Sequence, residues 1–530
     1  MWQQGWRDQV WAQLEKPWDL IVIGGGITGA GILRTAAKAG LRALLLEAQD
    51  FAFGTSSRSS KLVHGGIRYL RNFQLKVTSE SVRERERLLR EAPCLVDPLE
   101  FIIVTCRGDP AARWKFGVGV VIYDLMGGKW AHGVYSPQQL CRILPALGAA
   151  QPLGAIWYYD ARVDDARMVL RTLCEATAAG GTALNYAPVR HLLRNRRGEV
   201  CGVAAYDAAP GGGGRAREVM ASVVVNATGP WADEVRAQIG AEARLRKSRG
   251  SHLVFPRSKF PIQQSFTLLH PRDNRMMFAI PWEGVTLVGT TDLDHSPELE
   301  AAQPEPVIQA GEVEYLLEAI GHSFPGLGLT TKDIQATFAG LRPMVNTGKA
   351  DPSKESREHI ILCENGLVTI TGGKLTTYRL MAQQTLKAVR RRFGASPRFD
   401  PRQATFDCLP EVCAPCPIEP GALARLRGRL GAETMPLLNA SQPGELEPIG
   451  ESPCVWGELR WAARAEGVVH LDDLLLRRVR LGLLVPEGGM GYMDRIRAIV
   501  QPELGWEAAR WDQEVTDYAR RWKQCYAVPD

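Results

Sequence analysis

The chain has 530 residues, 45% apolar and 23% charged, with a formal net charge of +6. That length and balance exclude a small disulfide-stapled module and a disordered chain, and allow roughly two to four domains with cores of their own. The charge is too slight to mark a nucleic-acid binder and suits an anionic small molecule or a membrane surface.

The first residues, MWQQGWRDQVWAQLEKPWD, are polar and tryptophan-rich. With an odd number of cysteines, eleven, they favour a reducing compartment. Next, DLIVI at 19–23 predicts a short buried strand that stops at glycine. The following Gly24-x-Gly26-x-x-Gly29 has the spacing of a dinucleotide-binding turn. In such a turn the first glycine permits the bend, the second lets backbone approach a pyrophosphate, and the third lets helix and strand pack closely. A helix over 32–39, a stop at Gly40, a strand over 41–46 and a terminal Glu47 follow in order. A carboxylate about 20 residues past the glycines can accept hydrogen bonds from ribose hydroxyls, which favours FAD or NAD over NADP.

The stretch TSSRSSKLVHGGIRYL at 55–70 then crowds hydroxyls, cations, glycines and a histidine together. Further on, ASVVVNATGPW at 221–231 predicts a second buried strand ending in a small-residue turn, so the nucleotide domain is expected to be discontinuous. GGGG at 211–214 predicts a flexible hairpin tip. Strands over 253–255, 277–280 and 285–292 predict an antiparallel sheet. After a strand over 367–371, Gly372-Gly373-Lys374 is expected to open a helix whose N–H groups point at the cofactor. From Pro401 the composition shifts, and 423–430, 458–466, 471–484, 491–500 and 507–522 predict helices.

GGGITGAG, LLLEAQD, TSSRSSKLVHGGIRYL, NATGPW, GTTD and GGKLTTYR occur in this order. Together they resemble the FAD-dependent glycerol-3-phosphate dehydrogenases that pass electrons to membrane quinone. The resemblance runs from about Asp19 to about Ala388 and more loosely beyond. It implies an α/β chain with a Rossmann-like FAD-binding domain (19–94, 161–245 and 341–394), an antiparallel-sheet substrate domain (95–160 and 246–340) and a C-terminal helical domain (400–530). It also implies FAD as cofactor, glycerol 3-phosphate as substrate, a homodimer, no nucleic-acid partner, and peripheral attachment to the cytoplasmic face of the inner membrane.

Carried onto this sequence, the resemblance gives cofactor contacts at Gly24, Gly26, Gly29, Glu47, Thr55, Ser56, Ser57, Ser60, His64, Gly66, Gly229, Gly373, Lys374, Leu375 and Thr376. Arg68, Tyr69, Arg342 and Lys374 are expected to hold the substrate, since a guanidinium can grip phosphate with two parallel hydrogen bonds. His252 is expected to be the base, with Arg342 also stabilising the developing alkoxide. The motifs leave open an oxidase that reduces oxygen, and a flavin-dependent tRNA-modifying protein is the rival of another class. No metal is expected: Cys413 and Cys416, near Cys408 and Cys454, form at most half a site. No apolar run is long enough to span a bilayer. Two stretches are candidates to lie in a membrane interface, 113–123 and the tryptophan leader.

Overall fold

The computed structural model describes residues 2–67, 75–106, 113–302, 305–346, 348, 358–393, 397–412 and 417–529. Its first sheet is built on Trp18–Ile23, which pairs in parallel with Ala43–Leu46 on one side and Ala216–Asn226 on the other. Thr182–Leu184 and Leu367–Gly372 extend the parallel set, and His359–Glu364 closes one edge antiparallel. Leu20, Ile21 and Val22 are fully buried, as continuous apolar strands covered on both faces must be. Helices Ile27–Lys38 and Tyr378–Val389 pack together so closely that a Cβ on Gly31 would stand 2.8 Å from the Tyr378 ring.

The second sheet has ten strands. Leu245–Pro256 lies between Ala336–Val345 and Val285–Gly289, both antiparallel to it, and Met276–Trp282 follows by a hairpin. Beyond them come Ser265–Leu269, Val96–Thr105 and Gly154–Val163. All described pairs are antiparallel except that of Ser265–Leu269 with Val96–Thr105. The strand carrying Arg342 runs to Val345 in this sheet. The domain boundary expected at residue 341 therefore falls too early, because the pairing with Leu245–Pro256 holds the strand in register past it.

The C-terminal third is helical, with one helix the sequence pattern missed, Thr434–Ala440. The single helix expected over 471–484 is instead a π-helical turn, Asp473–Arg478, then a short helix, Leu481–Leu484, separated at Arg480 with φ 70°. Arginines from this region dock it onto the nucleotide domain. Arg477 and Arg478 both reach Asp50, Arg480 donates to Ser57 O at 3.0 Å, and Arg429 meets Asp164 at 2.8 Å.

The leader is not an interfacial segment. Trp2, Trp11 and Trp18 are buried, and Trp2 Nε1 donates to Ala183 O at 3.1 Å. Its tryptophans fill the edge of the nucleotide domain rather than face solvent. Among the described residues no helix is long and apolar enough to cross a membrane. Cys454 is buried, its thiol donating to Val479 O at 3.1 Å, and burial pushes it up to about 12. Cys413 and Cys416 lie outside the described residues.

Candidate active site

The carboxyl ends of the parallel strands, the second sheet and the C-terminal helices enclose one cavity of 1390 Å³. In an open α/β sheet this is where ligands bind. Gly24, with φ 110°, makes the turn after the first strand, and a Cβ there would stand 2.6 Å from Ala227 O. A Cβ on Gly29 would collide with Gly24 O, so the helix can approach its strand only as glycine. Gly24, Gly26 and Thr28 face the cavity at the positive end of Ile27–Lys38. Ser56 stands beside them, its hydroxyl accepting from Ile27 N at 3.0 Å.

Glu47 ends the second strand and lines the cavity, accepting from Gly25 N at 2.5 Å and Gln49 N at 2.8 Å. Burial pushes its carboxyl up, against the pull of those two N–H groups. Gly229, Gly373, Leu375 and Thr376 line the same space, as do Thr55, Ser60, His64 and Gly66. The glycine cradle, the helix end and the carboxylate fit a dinucleotide cofactor of the FAD type. The helix expected to open at Gly372-Gly373 starts later, at Tyr378, after a 3-10 turn, Leu375–Thr377.

Two expected contacts are corrected. Ser57 does not face the cavity. In the 3-10 turn Thr55–Ser57 its hydroxyl turns back to Phe53 O and Gly54 O, both at 3.5 Å, while its carbonyl is held from behind by Lys61 and Arg480. His252 is also not on the wall. It is buried, stacked on Phe338 at 4.5 Å, and shares a 2.8 Å hydrogen bond through Nε2 with Ser60 Oγ, which is on the wall. Burial, with the charges of Arg342 and Lys61, holds its pKa well below the usual histidine range. A buried neutral imidazole behind a serine cannot touch a substrate. Of the two motif histidines only His64 lines the cavity.

At the other end the second sheet presents Arg342, Thr290, Gly250 and Arg275. Arg342 Nη2 donates to Thr290 Oγ1 at 2.9 Å, and its Nη1 lies 3.3 Å from Asp292 Oδ1. The guanidinium lies across Gly250, where a Cβ would stand 2.5 Å from Thr290 Oγ1 and collide with Nη2. Lys374 completes the cationic wall, its Nζ donating to Ser81 Oγ at 3.1 Å. The expected contacts at Arg68 and Tyr69 lie outside the described residues.

One wall residue had no sequence signal. Asp160 Oδ1 accepts from Gly65 N at 3.1 Å, Tyr123 OH at 2.6 Å and Arg85 Nη1 at 2.7 Å. It fixes the His64–Gly66 turn, and a Cβ on Gly65 would stand 2.8 Å from Tyr123 Cζ. The cavity thus joins a dinucleotide cradle to a small polar pocket rich in cations.

Comparison with known proteins agrees with that geometry. Residues 19–379 match the family described as FAD dependent oxidoreductase, and residues 368–511 match the C-terminal domain of alpha-glycerophosphate oxidase. The chain is 35% identical to glycerol-3-phosphate dehydrogenase 2 of Mycobacterium bovis, covering 98% of this chain and 92% of that one. It is 32% identical to the aerobic glycerol-3-phosphate dehydrogenase of Staphylococcus aureus, covering 93% and 92%. The solved glycerol-3-phosphate dehydrogenase of Bacillus halodurans, complexed with FAD, superposes with a TM-score of 0.77 at 28% identity, covering 100% of this chain and 99% of that one.

Proposed function

We propose, from the premise that this chain belongs to the FAD-dependent glycerol-3-phosphate dehydrogenases and takes FAD as its cofactor, that it oxidises sn-glycerol 3-phosphate to dihydroxyacetone phosphate and passes the electrons to membrane quinone. The observation that carries this is the cluster of Arg342, Arg275 and Lys374 at the substrate end of the cavity. A substrate with a phosphate dianion at one end and an alcohol in the middle needs cations and a hydrogen-bond-rich wall of that kind. Bound FAD supplies the chemistry of accepting the C2 hydride at its N5. Arg342 polarises the substrate oxygen as negative charge grows on it, and its fork is fixed beforehand by Thr290 and Asp292. His252 contributes at one remove, by holding Ser60 Oγ in place on the wall.

Anaerobic addition of glycerol 3-phosphate to the purified flavoprotein should bleach the yellow flavin band. A water-soluble quinone should then restore the band faster than air does. A band that stays oxidised with substrate would overturn the substrate reading; faster return with air would make the protein an oxidase.

Peripheral attachment to the inner membrane's cytoplasmic face is supported by one exposed apolar face. On the helix Arg113–Gly127, Ile122 and Leu125 are 40% and 69% exposed, and Trp130 and Val134 beside it are 69% and 61% exposed. Lys129 adds an exposed cation. Such a surface suits the boundary of acyl chains and anionic headgroups. The same helix turns Tyr123 inward to Asp160 on the cavity wall, so the face lies close to the redox site. A Leu125→Glu, Trp130→Glu variant should lose roughly tenfold or more in co-sedimentation with anionic vesicles. Wild-type co-sedimentation of that variant would remove this face as the contact.

A further inference from the structure

The strands of the second sheet bring four cavity-lining residues to one end: Arg342 from Ala336–Val345, Gly250 from Leu245–Pro256, Thr290 just past Val285–Gly289, and Arg275 just before Met276–Trp282. Arg275 has no part in the sequence motifs. Its Nε donates to Thr290 O at 3.2 Å and its Nη2 meets Asp292 Oδ2 at 3.0 Å. Arg342 Nη1 takes the other oxygen, Asp292 Oδ1, at 3.3 Å, and Ser248 donates to that oxygen as well. The Asp292 side chain is 1% exposed, while those of Arg275 and Arg342 keep 17% and 24% of their surface.

One buried carboxylate therefore stands between two guanidiniums and lends each an oxygen. Two like charges at this separation repel, and the shared carboxylate offsets only one of them. The wall keeps a surplus positive charge, directed into the cavity by two forks whose rotamers are already fixed. The part of each guanidinium not engaged by Asp292 and the Thr290–Thr291 turn is the part left on the cavity side. An anion that accepts from both is the ligand such a clamp fits.

We propose that Arg275 is a second phosphate-binding residue, gripping the substrate phosphate together with Arg342, and that Asp292 is the positioning residue that aligns the pair. This rests on the reading of glycerol 3-phosphate as the substrate. It separates the two arginines from the flavin-side contacts. It also gives the GTTD turn its purpose, since Thr290 and Asp292 brace both forks.

The test compares glycerol 3-phosphate with glycerol, which lacks the phosphate, in anaerobic reduction of the bound flavin, and uses inorganic phosphate as a competing ligand. Arg275→Ala, at unchanged flavin content, should lower the ratio of kcat/KM for glycerol 3-phosphate over glycerol by roughly 10- to 100-fold. It should weaken inhibition by inorganic phosphate by a similar factor, and Arg275→Lys should recover part of both. Asp292→Asn should raise KM for glycerol 3-phosphate more than it lowers kcat. An unchanged ratio with unchanged phosphate inhibition overturns the proposal, as does an equal loss on both substrates. If wild type is not reduced by glycerol 3-phosphate at all, the substrate reading has failed. Phosphate binding, followed as a shift of the flavin spectrum, still decides the clamp: retention in Arg275→Ala overturns it, and loss supports it.

Discussion

Arg342→Ala is expected to cut kcat/KM for glycerol 3-phosphate by roughly 10²- to 10³-fold while the flavin stays bound. The side chain touches the cavity only at its substrate end, and none of its described partners is a cofactor-cradle residue. Its loss removes a charge-assisted fork that is already oriented, so the cost falls on the bound substrate and the transition state, not on the fold. Lysine restores the charge but not the two-pronged geometry, and Arg342→Lys should stay well below wild type. Gly250→Ala reaches the same group from beneath. The added Cβ would collide with Arg342 Nη2, the far end of a flexible side chain, so the strand can stay folded while the guanidinium is pushed aside. That variant should show an intermediate loss with normal flavin content. Flavin loss in step with activity in both variants would assign Arg342 a structural role instead.

The cofactor cradle was legible because it is local. Strand, glycine turn, helix, second strand and carboxylate follow one another within 30 residues, and each step has its own residue signature. The substrate end was legible only in part, because it is assembled from distant strands. His252 lies two residues from Gly250, and alternation along a strand puts both on one face. What alternation cannot supply is Ser60, 192 positions away in sequence, crossing over the imidazole and taking its place on the wall. Ser57 failed for a similar reason. A run of hydroxyls does not say which of them a 3-10 turn will point inward. Arg275, in DNRMMF, reads as a surface charge before a strand. The signal that could have found it is the hairpin of Met276–Trp282 with Val285–Gly289. Once Phe278 is paired with Gly289, Arg275 must lie near the GTTD turn. The broken helix over 471–484 was hidden because apolar residues there are buried on every side, which erases the helical period.

The docking of the C-terminal domain is where a single substitution should cost most stability. Asp50 lies three residues past Glu47 and is fully buried. Its Oδ2 accepts from Arg477 Nε and Arg478 Nη1, both at 2.5 Å, and its Oδ1 accepts from Arg478 Nη2 at 2.8 Å. Burial pushes the Asp50 carboxyl up, but the two guanidiniums outweigh it and hold the group below the ordinary carboxylate range. Asp50→Ala leaves two buried arginines short of their counter-charge, which typically costs about 3–5 kcal/mol, a large share of the usual 5–15 kcal/mol of a folded domain. The sign of the pH effect follows. A lowered carboxylate contributes stability that is present above its unfolded value near 3.9 and is lost as pH falls toward its folded value. Asp473 works the other way. Burial and the neighbouring Asp50 raise it to about 6, so its contribution is present below about 3.9 and fades as pH rises through about 6. Thermal unfolding from pH 4 to 8 should therefore show the Asp473 limb flattened in Asp473→Asn. Asp50→Ala should lower Tm throughout and release FAD early, because Asp50 anchors the turn that carries Glu47 and Gln49 on the cofactor wall. An Asp50→Ala protein with wild-type Tm and tightly held flavin would show that the arginines find other partners and that the docking does not depend on this carboxylate.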